Sequence, residues 1–177
     1  MLSPHAGPIP DSYWVDPSRL MAGPLPLRTL PEGADRGAQR AVVRALLDVG
    51  IRTVIDLRTP AEPPSIRSLL SKLSDDAVWI GMPILDGAAP SEPQLEMILD
   101  AIDASLARER PVYVHCQGGR GRAGTVVAAW WIRHGHYDLE GALAALTERR
   151  VGQPHGAHPS PETGAQHRLL RTWQVGK

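Results

Sequence analysis

The chain has 177 residues, of which 42% are hydrophobic, and 19 basic and 19 acidic residues give a formal net charge of zero. This length and hydrophobic content suit one domain with its own core, and the balanced charge disfavours binding to bulk nucleic acid or to an anionic membrane. A single cysteine excludes an intrachain disulfide and favours a reducing, cytoplasmic location.

The beginning of the chain differs in composition from the rest. Residues 1–11 contain several prolines and no apolar segment of the kind that a signal peptide carries. We therefore expect residues 1–11 to be a flexible N-terminal tail and residues 12–177 to form the folded domain. No apolar run in the chain approaches the length of a membrane span.

Beyond the tail, strand-like and helix-like segments alternate. The elements predicted in chain order are a helix over 36–49, a strand over 53–57, a helix over 64–73, a strand over 77–82, a helix over 91–108, a strand over 111–115, a helix over 123–134, a helix over 138–150 and a last helix from residue 160. This alternation predicts a single-domain α/β fold, with a short central, mainly parallel sheet flanked by helices.

Several helix ends carry sequence signals. Gly50 is a C-terminal cap for the first helix. Ser91, followed by a glutamine three residues later, resembles a capping box, and Asp138 is placed to cap the next helix but one. Ser160 precedes a proline, which favours the first position of a helix, so the last helix is predicted to begin there.

The most informative segment follows the strand over 111–115. Residues 115–125 read His-Cys-Gln-Gly-Gly-Arg-Gly-Arg-Ala-Gly-Thr, a glycine-rich turn between a buried strand and an apolar helix. Glycines let successive backbone N–H groups point inward around an anion, and the following helix directs its positive end to the same place. The residues predicted to bind a phosphate group are Gln117, Gly118, Gly119, Arg120, Gly121 and Arg122.

Cys116 opens this turn. Most lone cysteines are small buried hydrophobes, but a cysteine at a helix N-terminus beside an arginine can have its pKa lowered by several units, which makes it a thiolate at neutral pH. Cys116 is therefore a candidate nucleophile. Arg122 can grip two phosphate oxygens with its planar fork, and His115 is predicted to support the thiolate through the nearby backbone.

These residues resemble the signature of the cysteine-dependent protein phosphatases in their dual-specificity-like branch. That signature is His-Cys, five residues with a glycine third, then Arg, Ser or Thr, and Gly, and the chain departs from it only at Ala123, where the family has a hydroxyl. The resemblance implies a dual-specificity-phosphatase-like fold and catalysis without cofactor or metal. Its further matching segments are residues 12–17, 20–26, 51–58, 82–91 and 160–166.

The resemblance also implies two further catalytic residues. Residues 82–91 match the loop that carries the general acid of the family (the acid loop), which makes Asp86 the candidate acid, although Asp-Gly is also ordinary turn chemistry. Residues 160–166 match a segment that brings a glutamine to the site, which implies that Gln166 orients a water, although a lone glutamine on a helix is usually a surface residue.

The expected activity is hydrolysis of phosphate monoesters through a cysteinyl-phosphate, on a phosphorylated protein (phosphotyrosine or phosphoserine/threonine) or a small phosphomonoester. Arg120 points either to solvent or to a second charged group of the substrate. Two alternatives stay open. A rhodanese-like sulfurtransferase also uses a cysteine loop, and a catalytically weak phosphate-binding pseudophosphatase is suggested by Ala123. A structural zinc site is disfavoured, because no second cysteine and no His-Glu-x-x-His pattern is present.

Overall fold

The computed structural model of the protein describes residues 3–176. Its strands are β1 (Tyr13–Asp16), β2 (Leu20–Gly23), β3 (Thr53–Asp56), β4 (Val78–Gly81) and β5 (Val112–His115). Its α-helices are α1 (Arg36–Asp48), α2 (Arg67–Leu73), α3 (Glu92–Leu106), α4 (Gly121–Arg133), α5 (Leu139–Arg149) and α6 (Gly164–Thr172), and a 3-10 turn spans Pro26–Thr29.

One sheet with the order β1-β2-β5-β3-β4 forms the centre of the molecule. The pairs β2–β5, β5–β3 and β3–β4 are parallel, and only β1 runs antiparallel to its neighbour. The predicted α/β fold with a mainly parallel sheet is thus confirmed. In the register of the sheet, His115 lies between Gly23 of β2 and Asp56 of β3, so three strands end at one place.

Helices cover both faces of the sheet. Side chains alternate across a strand, so each face presents apolar side chains that the helices bury. In β5, Val114 belongs to the core beneath α3, α4, α5 and α6, and Tyr113 belongs to the core beneath α1 and α2. Helix α4 is buried from Gly121 to Ile132, since it packs against the sheet and against three other helices. The segment that follows the cysteine is therefore the most enclosed helix of the fold.

Helix caps confirm part of the sequence analysis and correct another part. The side chains of Ser91 and Asp138 accept from the backbone N–H groups of the third residues of α3 and α5, as predicted. The prediction that Ser160 begins the last helix is wrong, because Thr163 is the N-cap of α6. Gln166 completes a capping box with Thr163, so it lies in the first turn of that helix.

The described part of the predicted N-terminal tail packs against the domain. Ser3 N donates to Val151 O at 3.0 Å, and Trp14 N donates to His5 O at 2.8 Å. Ala6 forms a bridge with Tyr13, and Ile9 is 3% exposed. The expectation of a flexible tail therefore fails for residues 3–11, and its first two residues lie outside the described part of the chain. None of the helices within residues 3–176 has the length and apolar character needed to cross a membrane.

Candidate active site

The cysteine loop, residues 116–120, leaves the end of β5 and enters α4 at Gly121. Gly119 has a φ of +72°, and a Cβ atom on it would lie 2.4 Å from the carbonyl carbon of Gly23. Only glycine fits this position, because the loop both turns through the left-handed region and touches the end of β2. The loop thereby curls at the edge of the sheet where β2, β3 and β5 end.

A cavity of about 140 Å³ lies over the cysteine loop. The predicted site residues on its wall are Cys116, Gln117, Gly118, Arg120, Gly121, Arg122, Asp86 and Gln166, and the wall also contains Arg28, Gly87 and Glu162. Two predicted residues do not line the cavity: Gly119 faces β2, and His115 lies beneath the loop. Four separate segments of the chain therefore contribute to one polar concavity.

Arg122 is 1% exposed, and its guanidinium is held on several sides. Nη1 and Nη2 each donate to one carboxylate oxygen of Glu62 at 2.8 Å, and Nη1 also donates to Ile84 O at 3.0 Å. Nη2 lies 2.9 Å from Oδ1 of Asp86. These contacts fix the plane of the guanidinium at the cavity wall.

Glu62 is a site residue that the sequence analysis did not identify. The hydrogen bonds from Arg122 lower the pKa of Glu62 from 4.5 to about 2, so its carboxylate is charged at neutral pH. Burial lowers the pKa of Arg122, but the hydrogen bonds to Glu62 and the nearby negative charges raise it above its ordinary value. Each residue of the pair thus keeps the other charged.

The only sequence signal for Glu62 is its place in the topology. It follows β3, and β3 lies beside β5 in the parallel sheet. Loops after the carboxyl ends of neighbouring parallel strands meet, so a carboxylate after β3 reaches an arginine 60 residues later. Glu62 also accepts from Thr59 N at 2.9 Å, which closes a local turn and positions the carboxylate.

The acid loop holds Asp86 at its exposed tip. Ile84 N donates to Leu57 O at 2.9 Å, and the side chain of Gln94 donates to Pro83 O at 2.6 Å, so the loop is anchored just before the aspartate. The side chain of Asp86 is 78% exposed and contacts Arg122. This places a carboxylate that is open to water at the rim of the cavity.

Gln166 is fully buried, and its amide joins α6 to the acid loop. Oε1 accepts from Glu162 N at 2.9 Å and from Thr163 N at 3.2 Å, while Nε2 donates to Ala88 O at 3.1 Å. Because an amide nitrogen carries two protons, one remains for the cavity that Gln166 lines.

Arg120 is oriented by the segment before α6. Its Nη2 lies 3.0 Å from Oε1 of Glu162, and its carbonyl accepts from the hydroxyl of Ser160 at 2.8 Å. Arg120 is therefore paired and only 20% exposed in its side chain, rather than fully solvated. Ser160 does not cap a helix, because its hydroxyl donates to the carbonyl of Arg120 and so holds the cysteine loop in place.

His115 supports the loop from below. It is fully buried, with Nδ1 at 3.2 Å from Cys116 O and Nε2 at 3.7 Å from Oδ2 of Asp56. Burial lowers the pKa of His115 to about 4, so the ring is neutral at pH 7. Burial raises the pKa of Asp56, but the hydrogen bonds from Arg58 outweigh this and lower it. Within residues 3–176, no group of three or more His, Cys, Asp or Glu side chains is placed to hold a metal ion.

Comparisons with known proteins agree with this geometry. Residues 33–136 match a family described as "Polymorphic toxin system, DSP-PTPase phosphatase". The chain is 33% identical over 118 residues to "Protein tyrosine phosphatase PRL-1" of Leishmania major, a match that covers 62% of this chain and 65% of that protein. It is 41% identical over 49 residues to an uncharacterized protein of Methanocaldococcus jannaschii, which covers 28% of this chain and 31% of that protein. The chain thus spans less than two thirds of these curated relatives.

Among solved structures, "Tk-PTP in the active form" has a TM-score of 0.73 and 26% identity, and the match covers 93% of this chain and 97% of the other. The structure of "PTPMT1 in complex with PI(5)P" has a TM-score of 0.70 at 22% identity and covers 92% and 94% of the two chains, which shows the shared fold.

Proposed function

The chain belongs to the DSP-PTPase phosphatase family, and from this premise we propose that it hydrolyses phosphate monoesters through a phosphocysteine on Cys116. The observation that carries the proposal is the cavity whose wall unites Cys116 and Arg122 of one segment with Asp86 and Gln166 of two others. Membership of this family sets aside the rhodanese-like alternative.

In the first step, the sulfur of Cys116 forms a bond to phosphorus while the bond from phosphorus to the ester oxygen breaks. The backbone N–H groups of the cysteine loop and the guanidinium of Arg122 bind the phosphoryl oxygens. Asp86 gives its proton to the departing oxygen. A bound phosphoryl group competes with Asp86 for Nη2 of Arg122, since that nitrogen contacts Asp86 at 2.9 Å.

In the second step, water attacks the phosphocysteine. Its proton goes to the carboxylate of Asp86, inorganic phosphate leaves, and the bond electrons return to the sulfur of Cys116 as thiolate. Gln166 orients this water with the second N–H of its amide, the one that is not hydrogen-bonded to Ala88 O. The geometry gives Gln166 a second task, because the same amide holds the acid loop in place.

The proposed substrates are a phosphorylated protein or a small phosphomonoester in the cytoplasm. Arg28 lines the cavity together with the loop, and Arg120 there is paired with Glu162, so Arg28 is the cation placed to meet an additional negative charge near the phosphate. No step of the proposed reaction requires a metal ion.

Hydrolysis of an aryl phosphate by wild-type protein and by Cys116→Ser tests the proposal. We expect the substitution to abolish turnover, because a serine hydroxyl at this position is a far weaker nucleophile than a thiolate. Arg122→Lys should lower kcat/KM strongly, whereas the matched control Arg44→Lys, on the exposed side of α1, should leave it unchanged. Turnover that persists in Cys116→Ser would refute the assignment. Transfer of sulfur from thiosulfate to cyanide would support the sulfurtransferase instead.

A further inference from the structure

A second cavity, here called the distal cavity, has a volume of about 230 Å³ and lies between the end of β1, the last turn of α4 and the end of α5. It shares no lining residue with the cavity over the cysteine loop. Trp131, on its wall, follows Gly121, the first residue after the cysteine loop, by ten helical residues, or about 15 Å along α4. The distal cavity is therefore a separate place on the molecule.

Arg149 on the wall of the distal cavity is a buried cation with no anionic partner among residues 3–176. It is 8% exposed, and its Nε atom is buried and lacks a hydrogen-bond partner. The other buried arginines of the described chain have acceptors for their donors: Arg58 contacts the carboxylate of Asp56, Arg122 contacts the carboxylate of Glu62, and Arg150 donates to two backbone carbonyls at 2.8 Å. Since a buried charge is costly unless it is paired, Arg149 is placed for an anion from outside the chain.

Neighbouring groups do not replace that anion. The guanidinium carbon of Arg149 lies 4.9 Å from the ring centroid of Trp131, a cation–π contact that covers one face of the group. The N–H donors of a guanidinium point outward in its plane, so such a contact does not supply an acceptor for the buried Nε–H. Asp16 also lines the cavity, but its carboxylate contacts Arg19 at 3.0 Å, and no ion pair joins it to Arg149.

Aromatic rings form most of the remaining wall. Trp131 and Tyr137 meet edge to face with 5.4 Å between their centroids, and Trp130 and His136 stack at the same distance. Such a wall favours a flat apolar group. One guanidinium balances a monoanionic carboxylate through two parallel hydrogen bonds, whereas a phosphate dianion would leave an excess negative charge near Asp16.

We propose that the distal cavity binds an organic carboxylate, with the carboxylate paired to Arg149 and an apolar ring or chain lying against Trp131 and Tyr137. The site is independent of the phosphatase reaction and needs neither Cys116 nor Arg122. The carboxylate can belong to a small molecule or to the C-terminus of a peptide, which share this chemistry.

Benzoate is a suitable probe, because the indole N–H signals of the five tryptophans report on it by NMR. Titration of the wild-type protein should shift the signals of Trp130 and Trp131 in a saturable manner and leave those of Trp14 and Trp79, on the opposite face of the sheet, in place. Benzamide, which has the same shape without the charge, should bind at least about tenfold more weakly, since it lacks the charge-assisted pair. A short peptide ending in phenylalanine, with a free or an amidated C-terminus, distinguishes the peptide source.

Arg149→Gln should weaken benzoate binding by about tenfold or more, and the exposed control Arg44→Gln should not change it. Arg149→Lys is the second variant, for use if Arg149→Gln unfolds, because lysine retains the positive charge. It should also weaken benzoate binding, because lysine lacks the planar guanidinium that forms two parallel hydrogen bonds. Equal binding of benzoate and benzamide, an unchanged affinity in both Arg149 variants, or shifts of Trp130 and Trp131 with inorganic phosphate but not with benzoate would overturn the proposal. Activity toward an aryl phosphate, measured in parallel, should be the same in Arg149→Gln as in the wild type, so failure here is separable from failure of the phosphatase proposal.

Discussion

Glu62 shows how a single residue outside the signature prepares the site. Both of its carboxylate oxygens accept from Arg122 at 2.8 Å, which holds Nη1 and Nη2 in place, and Nη2 also contacts Asp86 at the cavity. Because the hydrogen bonds from Arg122 lower the pKa of Glu62 to about 2, its carboxylate is charged at neutral pH and the contact is an ion pair there. Glu62 is thus a positioning residue, which acts on the substrate through Arg122.

Replacement of Glu62 by glutamine should misplace Arg122. An amide accepts with one oxygen only, so the paired contact to the guanidinium is lost. We expect kcat/KM for an aryl phosphate to fall by about tenfold to a hundredfold, the size of loss that a shift of about 1 Å in a positioning group causes. Inhibition by inorganic phosphate should weaken in parallel. The exposed control Glu96→Gln should retain both values, and an unchanged phosphate inhibition in Glu62→Gln would contradict the positioning role.

The proposed acid role of Asp86 predicts a dependence on the leaving group. Asp86→Ala should lower kcat/KM for an alkyl phosphate by about two to four orders of magnitude, because a poor leaving group needs a proton. For an aryl phosphate with a good leaving group, the loss should be much smaller. Rates across a series of leaving groups measure the difference, with the exposed Asp75→Ala as control. Equal losses for all leaving groups would remove Asp86 from the acid role.

Ala123 leaves the sulfur of Cys116 without the hydroxyl that the family signature supplies. The hydroxyl of Thr125 donates to Gly121 O at 2.7 Å, and the hydroxyl of Ser160 donates to Arg120 O at 2.8 Å, so neither proton is free to replace it. Ala123 itself is fully buried in the first turn of α4. The wild-type chain is therefore expected to form the phosphocysteine faster than it hydrolyses it.

Ala123→Ser tests this expectation. The added hydroxyl can donate to the departing thiolate and should raise the rate of phosphocysteine breakdown. Rapid-mixing experiments should show a burst of product with the wild type and a smaller burst with a faster steady rate in Ala123→Ser. Ala128→Ser, on the same buried helix but five residues further from the cysteine, is the matched control. A burst of equal size in the wild type and in Ala123→Ser would count against a slow second step.

At the scale of elements, the acid loop and α6 are one unit. Gln166 binds the backbone before α6 with its oxygen and Ala88 of the acid loop with its nitrogen. Gln166→Ala should therefore loosen the acid loop. We expect kcat/KM to fall most for substrates with poor leaving groups, as in Asp86→Ala, but by a smaller factor.

A matched control for Gln166 exists at the start of α1. The side chain of Gln39 donates to Ala34 O at 3.1 Å, the same kind of contact in a part of the chain that does not line the active-site cavity. Gln39→Ala should leave all rates unchanged. A loss in Gln166→Ala that is independent of the leaving group, together with a larger burst, would assign the residue to water orientation alone.

The elements also show which features the sequence could predict. Helices α3 and α5 begin where Ser91 and Asp138 indicate, because a capping side chain bonds to its own helix three residues later. The start of α6 was predicted three residues too early, because the hydroxyl of Ser160 bonds instead to Arg120, 40 residues away. Local contacts are readable from local sequence, and a contact across the fold is not.

The same distinction applies to the site at the scale of the whole molecule. The cysteine loop is continuous in the chain, so its residues could be named from their spacing. Glu62 could not be identified from the sequence, because its contact with Arg122 depends on β3 lying next to β5 in the sheet. The fold class followed from the alternation of strands and helices, whereas the packing of residues 3–11 depends on contacts with Val151 and Tyr13.

The strand ends that create the site also make the folded protein sensitive to acid. His115 is fully buried with a pKa of about 4, while in the unfolded chain its pKa is the ordinary 6.5. Between pH 6.5 and pH 4, His115 is therefore protonated in the unfolded chain but neutral in the folded protein. The free energy of unfolding consequently falls as the pH drops from 6.5 toward 4. Above pH 6.5 the ring is neutral in both states, and this loss is absent.

This loss amounts to about 1.4 kcal/mol per pH unit within that window, or about 2 to 3 kcal/mol between pH 7.5 and pH 4.5. Urea unfolding at these two values should show the decrease in the wild-type protein. In His115→Asn the side chain does not titrate, so the decrease should be smaller by that amount, even if the variant is less stable at both pH values. The lowered pKa of Asp56 acts only below its ordinary value of 3.8 and lies outside the window. An equal decrease in both proteins would show that the ring of His115 does not resist protonation in the fold.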